Sequence, residues 1–355
     1  MLPLQQAREV TQSIREYIRA TFAFSNVNVE KAFYDFIEDS NHGMIKGPYI
    51  SLRTPFVSAD PNAQIPLEIQ PRFTPYLHQM EAFERLTCRN GHYPLPTLLT
   101  TGTGSGKTEA FEFPILDYCW QNRHRKGIKV IILYPMNALA TDQAKRLAAD
   151  IWNDPRLKGE IRAGLFIGRG KQGMHLPQTM GPENIIEDRD TIIDAAPDIL
   201  LTNFKMLDMG LMQNQYASLW KYNLEDPTLL KFIVLDELHT YDGAQGTDVA
   251  NLLRRLKLRL NIPSGNLCPV GTSATLGNGK DAKDKLCGYA LDIFGESIQT
   301  DAIIGEHRLS ADQLFDGDPD DVMPTNSAIR KMRINEQEDY DTYIEKQKKL
   351  WGIKA

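Results

Sequence analysis

Between about residue 72 and residue 300, the chain alternates short apolar runs with longer segments that have a helical pattern. The runs lack the in-and-out alternation of half-exposed strands, as is typical of parallel strands that are covered on both faces. They read "LPTLLT", "KVIILYP", "PDILLTN", "LKFIVLDE" and "LCPVGTSA". Because helical crossovers separate them, the pattern predicts an α/β fold with a mainly parallel, doubly wound sheet flanked by helices.

The two ends of the chain have different patterns. Apolar residues recur every three or four positions up to about residue 45, which predicts amphipathic helices, and a proline-rich, extended connection follows. Beyond Gly305, an acidic linker precedes a charged segment that indicates an exposed helix. We therefore expect an N-terminal helical extension with its connector (1–72), an α/β domain (73–305), and a linker with a charged C-terminal helix (306–355).

Composition is that of a globular protein: 355 residues, 42% hydrophobic and 24% charged. No apolar run is long enough to span a membrane, and the start is charged where a signal peptide needs an apolar stretch. We expect a cytoplasmic protein with no membrane partner. Its four cysteines have no CxxC spacing, which favours reduced thiols over a zinc site or a disulfide framework. Because the net charge is −6, any contact with nucleic acid must be local.

The segment "TTGTGSGKT" stands between a predicted strand and a predicted helix. In that context, glycines let backbone N–H groups surround an anion, and the helix N-terminus adds positive potential. Lys107 would bridge the outer phosphates, and the Thr108 hydroxyl would reach Mg²⁺. The general pattern has glycine where this chain has Thr101, and the alternative is a glycine-rich turn that binds nothing. The predicted phosphate cradle comprises Thr103, Gly104, Ser105, Gly106, Lys107 and Thr108.

A second candidate for chemistry is "DELH", which follows the apolar run "KFIVL". Asp236 would hold Mg²⁺ through water, and Glu237 would accept a proton from the attacking water, so adjacent carboxylates would have separate roles. The alternative is that the acidic pair merely caps the following helix. Its position at the carboxyl end of a buried strand, paired with the phosphate-binding pattern upstream, favours the catalytic interpretation.

In order and spacing, "TTGTGSGKT", "DELH" and "SAT" resemble motifs I, II and III of the superfamily 2 helicases of the DEAD/DEAH type. The resemblance implies a RecA-like fold and ATP as the nucleotide, with Gln79 in "FTPYLHQMEAF" at the position that recognises adenine. It implies that "SAT" couples hydrolysis to domain movement, with help from His239. Leu238 replaces the alanine of DEAH. The coupling residues would be Ser273, Ala274 and Thr275.

The same resemblance implies contacts with a nucleic-acid strand. "YPMNALATDQ" has the position of motif Ia and "LLTNFKML" that of motif Ib. The implied contact residues are Pro135, Asn137, Thr202 and Asn203. For the basic clusters "NLLRRLKLRL" and "QNRHRKGIK" we favour a solvated face, since runs of charge usually have that role.

"LDELHTYDGAQGTDVANLLRRLK" and the N-terminal lead-in resemble the bacterial Lhr-like helicases, which include repair and phage-defence enzymes. The resemblance covers about residues 15–310 and implies DNA, as a single strand or a duplex with a loading strand. Subunits of a defence or repair complex are further implied partners.

No segment after Thr275 resembles motif VI, "QxxGRxGR". We therefore expect a second RecA-like domain, in cis or in trans, and weak ATP hydrolysis by this chain alone. One alternative is a nucleotide-gated docking module without unwinding activity. Another is a P-loop ATPase that acts on proteins or small molecules.

Overall fold

The structure is a computed structural model that describes most of the chain. The chain divides into two compact units: one comprises residues 56–308, and the other comprises the segments before and after that range. The described residues are 3–22, 24–39, 42–44, 54–102, 104–168, 176–273 and 281–310, with four single residues at 313, 342, 345 and 346. The predicted C-terminal helix therefore lies almost entirely outside the described residues. No helix in the described ranges is long and apolar enough to cross a membrane.

The N-terminal segment contains two helices, α1 (Pro3–Thr21) and α2 (Val27–Glu38), as its apolar spacing predicted. Asn26 caps α2, because its side-chain oxygen accepts hydrogen bonds from the backbone N–H groups of Asn28 and Val29. The rings of Phe24 and Phe33 pack with their centroids 4.8 Å apart.

The large unit is built on a seven-stranded, all-parallel sheet in the order β3-β4-β2-β5-β6-β1-β7. The strands are β1 (Thr97–Thr100), β2 (Val130–Leu133), β3 (Ala163–Phe166), β4 (Ile199–Thr202), β5 (Phe232–Leu235), β6 (Cys268–Ser273) and β7 (Ile303–Gly305). The first six are buried along their whole length, and β7 is buried at its first two residues. The predicted parallel α/β fold is confirmed.

Helices connect the strands and cover both faces. They are α3 (Leu77–Leu86), α4 (Lys107–Gln121), α5 (Asn137–Asn153), α6 (Arg189–Asp194), α7 (Phe204–Met212), α8 (Lys221–Glu225), α9 (Gly243–Arg259) and α10 (Ala282–Phe294). Short 3₁₀ turns lie at Arg89–Gly91, Asn214–Trp220, Leu238–Thr240 and Thr300–Ala302. The crossovers are helical because parallel neighbours cannot be joined by a tight turn.

Strands such as β2 and β5 contribute to two hydrophobic cores, one on each side of the sheet. Leu133 and Leu235 pack on the side of α7, α9 and α10, whereas Ile132 and Val234 pack on the side of α4 and α5. Successive side chains of a strand point to opposite faces, so a strand covered on both sides must be apolar throughout. This requirement explains the uninterrupted apolar runs in the sequence.

The connector upstream of α3 packs closely onto the sheet domain. Leu67 and Ile69 are fully buried, and Leu67 belongs to a small core with Phe83 of α3. Phe56 forms an antiparallel bridge with Arg308, just beyond β7. Residues on both sides of the predicted 73–305 domain therefore contribute to the compact unit.

Candidate nucleotide-binding site

The carboxyl ends of β1, β5 and β6 are neighbours in the sheet, because β6 pairs with both of the others. Thr100 pairs with Ser273, and Leu235 pairs with Gly271. The loop after β1, the acidic pair after β5 and the end of β6 therefore meet at one edge. Ligands of open parallel sheets bind at this edge.

The loop after β1 has the backbone geometry of an anion cradle. Gly104 and Gly106 have φ angles of 79° and 75°, which favour glycine. Helix α4 begins at Lys107, and no side chain among the described residues caps its N-terminus, so first-turn N–H groups are available to an anion. The hydroxyls of Thr101 and Ser105 lie 2.6 Å apart and close the base of the loop. Thr103 lies outside the described residues.

Two residues at the start of α3 hold the loop through its carbonyl groups. His78 Nε2 lies 2.8 Å from the Ser105 oxygen, and Gln79 Nε2 donates to the Gly106 oxygen at 3.0 Å. The Gln79 side-chain oxygen accepts from the backbone N–H of Tyr76, and the residue is 1% exposed. Gln79 was predicted to recognise adenine, and its amide is here bonded within the protein.

His78 was not identified from the sequence, although it directly precedes Gln79. Burial lowers the pKa of His78, so its ring is neutral, and the bond to Ser105 places the proton on Nε2. The only local signal was the adjacency of two polar residues at the start of an amphipathic helix. Its loop contact spans 27 residues of sequence, and local spacing does not reveal it.

Asp236 and Glu237 follow β5 directly, as predicted, and they have different surroundings. Asp236 is 8% exposed, and burial raises the pKa of its carboxyl, while the Thr272 hydroxyl and Lys107 oppose that rise. The Glu237 side chain is 33% exposed. One carboxylate is thus buried and fixed, and the other can reach solvent.

Residues near the end of β6 contact the acidic pair and Lys107 at the start of α4. Thr272 Oγ1 donates to Asp236 Oδ1 at 2.5 Å and accepts from the backbone N–H of Glu237 at 3.0 Å. Lys107 Nζ donates to the Ser273 carbonyl oxygen at 3.4 Å. Thr272 was missed from the sequence, where only the "SAT" that follows it was considered.

His239 lies between the acidic pair and β6. Its Nδ1 is 3.5 Å from Glu237 Oε2 and 3.3 Å from Ser273 Oγ. The predicted coupling residues His239 and Ser273 are therefore in contact. Ala274 and Thr275 lie outside the described residues.

The predicted nucleic-acid contacts meet at the ends of β2 and β4. Asn203 Nδ2 donates to Asn137 Oδ1 at 2.7 Å, and Asn203 also caps α7. Asn137 is exposed and Pro135 half-buried, whereas Thr202 is buried with its hydroxyl bonded to the Phe166 carbonyl. Asn137 and Asn203 are thus more accessible than Thr202.

Several side chains of the basic clusters form ion pairs within the protein. Arg255 pairs with Asp208, and Lys257 pairs with Glu296. In the other cluster, Arg125 pairs with an aspartate just beyond α8. These contacts join elements of the domain, in line with a structural interpretation of both clusters.

An open parallel sheet with a glycine-rich loop after β1 and an acidic pair after β5 defines a RecA-like P-loop domain. The sequence profile of the DEAD/DEAH box helicase family matches residues 76–283, more than half of the chain. The chain belongs to this family and is a motor domain of superfamily 2. The resemblance seen in its motifs is confirmed.

Relatives and solved structures extend the comparison. The chain is 24% identical to Druantia protein DruE of Escherichia coli (strain UMEA 4076-1), over 82% of this chain and 21% of DruE. It is 30% identical to the uncharacterized ATP-dependent helicase MJ1574 of Methanocaldococcus jannaschii, over 59% of this chain and 27% of MJ1574. The second of these relatives is named as an ATP-dependent helicase, in agreement with the family match. The chain spans less than a third of either one.

The fold is shared with the DUF1998 helicase MrfA, as seen in a crystal structure of MrfA bound to DNA and AMPPNP. The TM-score is 0.50 at 24% identity, over 71% of this chain and 30% of MrfA. The RecA-like fold predicted from the motifs agrees with this likeness.

Proposed function

We propose that this chain is the ATP-binding first motor domain of an ATP-dependent DNA helicase or translocase. The observation that carries this proposal is the meeting of the phosphate loop and the acidic pair across the end of β6. Lys107 lies 3.4 Å from the Ser273 carbonyl, and the adjacent Thr272 bonds to Asp236. A lysine, a carboxylate and an uncapped helix N-terminus at one sheet edge are the groups that phosphoryl transfer uses.

The residues at this edge fit a nucleoside triphosphate with Mg²⁺. Gly104 and Gly106 take the positive φ angles that turn backbone N–H groups toward an anion. Lys107 would bind the outer phosphates, the Thr108 hydroxyl would reach Mg²⁺, and the Asp236 carboxylate would hold the ion through its water shell. Mg²⁺, when bound, neutralises phosphate charge.

Glu237 is the proposed general base. Its partly exposed carboxylate can accept a proton from a water molecule, while the carboxylate of Asp236 is held by Thr272. His239, in contact with both Glu237 and Ser273, would transmit the state of the site to the segment after β6.

Gln79 can both hold the loop and recognise adenine. A carboxamide has two N–H donors and two acceptor lone pairs, and the contacts with Gly106 and Tyr76 use one of each. One donor and one acceptor are left, and because Gln79 is 1% exposed, they can reach the base only when the loop or the side chain moves. We propose that adenine recognition by Gln79 is thereby tied to the shape of the phosphate loop.

DNA is the proposed polymer, on the resemblance to Lhr-like helicases. Asn137 and Asn203 would bind its backbone at the same sheet edge as the nucleotide, together with Pro135. The buried Thr202 would support them through its bond to Phe166. Contacts of this kind position a strand without reading its sequence.

A second RecA-like domain, in cis or in trans, would complete the motor. An arginine supplied to the γ-phosphate raises turnover by about 10³- to 10⁵-fold, so this chain alone should hydrolyse ATP weakly. We propose a role in DNA repair or phage defence, with other subunits of such a complex as partners, in the cytoplasm.

Nucleotide binding can be tested on this chain directly, with a fluorescent ATP analogue and Mg²⁺. Lys107→Ala should reduce affinity by at least about 100-fold, because the lysine makes charge-assisted bonds to the phosphates. Lys283→Ala, an exposed lysine on α10, is the matched control and should bind as the wild type does. Equal affinity of the Lys107 variant and the wild type contradicts the proposed site.

Motor activity needs the second domain and a DNA strand. We expect ATP hydrolysis to rise by about 10³-fold or more when both are added to this chain. Binding without any rise in hydrolysis would instead favour the nucleotide-gated docking module. If neither DNA nor RNA changes the affinity for ATP, the result would favour an ATPase that acts on other substrates.

A further inference from the structure

Thr272 lies in β6 between the two loops of the proposed site. It is fully buried, and it pairs in register with Leu99 of β1. Its hydroxyl makes two hydrogen bonds, one to the side chain of Asp236 and one from the backbone N–H of Glu237. One hydroxyl group therefore contacts both members of the acidic pair.

The backbone of Glu237 requires such support. Its φ and ψ angles are both 51°, in the left-handed region that residues with a Cβ atom rarely adopt. The Glu237 carbonyl accepts bonds from the backbone N–H and the hydroxyl of Thr240, both at 2.8 Å. The backbone N–H of Glu237 donates to the Thr272 hydroxyl. The strained residue is thus fixed on both sides.

The Asp236 carboxylate also depends on Thr272. It is buried, and the hydroxyl donates to it at 2.5 Å. The backbone N–H of Glu237 is a second donor near this carboxylate, and it is itself bonded to the Thr272 hydroxyl. A buried carboxylate that loses a donor is less well solvated and less firmly oriented toward a cation. The Thr272 bond to Oδ1 fixes the orientation of the whole carboxylate group.

We propose that Thr272 is a positioning residue of the motor, which sets the Asp236 carboxylate and the Glu237 turn with a single hydroxyl. This inference rests on the proposed function, because it assigns Mg²⁺ to Asp236 and proton transfer to Glu237. Thr272 precedes Ser273, whose carbonyl accepts from Lys107 and whose hydroxyl contacts His239. Two successive residues of β6 therefore contact four residues of the proposed site.

The competing interpretation is that Thr272 is an ordinary buried threonine with a satisfied hydroxyl. Thr97 provides a matched comparison, because it is also fully buried in a central strand and its hydroxyl bonds to the Leu95 carbonyl. Thr97 begins β1, whereas the loop follows the end of that strand. The effect of losing a buried hydroxyl can thus be compared at Thr272, which contacts the proposed site, and at Thr97, which lies at the opposite end of its strand from the loop.

The test compares Thr272→Val, Thr272→Ser and Thr97→Val in the 355-residue chain. Affinity for a fluorescent ATP analogue is measured with Mg²⁺ and with EDTA, and thermal unfolding is followed in parallel. Valine keeps the shape of threonine and removes the hydroxyl, whereas serine keeps the hydroxyl. The readout is the gain in affinity that Mg²⁺ gives, which a purely structural role would leave unchanged.

We expect Thr272→Val to reduce the Mg²⁺-dependent gain by about 10- to 100-fold, the effect of losing a hydrogen bond to a charged group. Thr272→Ser should keep the gain to within about threefold, since its hydroxyl can make both bonds. Thr97→Val should keep the full gain. If the valine variant does not fold, Thr272→Ala replaces it in the same comparison.

Three results would overturn the inference while leaving the proposed function intact. The first is that Thr272→Val keeps the full gain in affinity from Mg²⁺. The second is that Thr272→Ser loses as much of this gain as Thr272→Val does, and the third is that Thr97→Val loses as much. A wild-type chain whose binding is unaffected by Mg²⁺ would overturn the proposed function, and this inference with it.

Discussion

Glu237 combines a strained backbone with a side chain that the proposed chemistry requires. A left-handed conformation costs a residue with a Cβ atom about 1–2 kcal/mol, and glycine would avoid this cost. Glycine, however, has no carboxylate. Strain of this kind persists where surrounding contacts hold it, and it is concentrated at functional sites. Bonds from Thr272 and Thr240 supply those contacts here.

Replacing Glu237 with glutamine should separate binding from catalysis. Glu237→Gln keeps the shape of the side chain, so ATP affinity should stay within about threefold of the wild type, while the complete motor loses about 10²- to 10⁴-fold in hydrolysis. Single-turnover hydrolysis and equilibrium binding measure the two effects. Glu183→Gln, at an exposed position, is the control. A loss of binding as large as that in Lys107→Ala would refute the assignment of Glu237 as the base.

His78 should matter for nucleotide binding, although it was not identified from the sequence. His78→Ala removes the group that contacts the Ser105 carbonyl, so we expect about a tenfold loss of ATP affinity from a loosened loop. His92→Ala, an exposed histidine, should have no effect. Titration with the fluorescent ATP analogue measures both variants. Unchanged affinity in the His78 variant would show that the loop keeps its shape without this contact.

At this scale, the sequence predicted residues whose role follows from local spacing. Lys107 follows three glycines, and Asp236 follows an apolar run, so each position is visible within a dozen residues. Thr272 and His78 act through contacts that span 36 and 27 residues. Their roles depend on which strands become neighbours, which the local pattern does not specify.

Among the helices, α4 and α5 meet at a pair of carboxyl groups. Glu112 of α4 is 5% exposed, one of its oxygens has no hydrogen-bond partner in the described part of the chain, and Asp150 of α5 bonds to the side chain. Burial, followed by the charge of Asp150, raises the pKa of Glu112 well above its ordinary value. Burial also raises the pKa of Asp150. The folded chain therefore binds protons here more tightly than the unfolded chain does.

This contact between helices should make stability depend on pH. Glu112 contributes its full stabilisation below the ordinary glutamate pKa of 4.5, and that stabilisation is lost as the pH rises from there through the higher pKa that Glu112 has in the folded chain. Glu112→Gln needs no proton, so at pH 8 it should raise the free energy of unfolding by about 1–3 kcal/mol. Denaturant unfolding at pH 5 and pH 8 measures this. An equal pH dependence in the variant and the wild type would contradict it.

Strands were predicted well because burial on both faces leaves an uninterrupted apolar run. Their order was not predicted, since it depends on pairing between distant segments. For example, β1 lies between β6 and β7, the last two strands in the described part of the chain. The short strand β7 and the bridge from Phe56 to Arg308 have no strong local pattern in the sequence that would predict them.

At the scale of the whole molecule, the match to the family and the parallel sheet agree with the class predicted from three motifs. Those motifs reveal the class because a phosphate loop, an acidic pair and "SAT" occur in a fixed order along the chain. The extent of the compact unit was harder to predict. Packing of the connector relies on single buried residues such as Leu67 and Ile69, which lie in an irregular, proline-rich segment.

A hydrogen bond from Gly102 to Glu306 limits how the domain can be shortened. The Gly102 N–H donates to the carboxylate of Glu306 at 2.9 Å, and Arg308, which bonds to the same carboxylate, lies over the ring of Phe56. A fragment of 73–305 would lack the side chains of Glu306, Arg308 and Phe56, and it would also lack the buried connector residues Leu67 and Ile69.

Burial of Leu67 and of Ile69 stabilises the folded domain by about 1.5–3 kcal/mol each. We expect a 56–310 fragment to show a higher melting temperature and tighter ATP binding than 73–305, and equal values would argue against it. A shortened protein for crystallisation should therefore keep the residues that contact the phosphate loop, even where they lie outside the helices and strands.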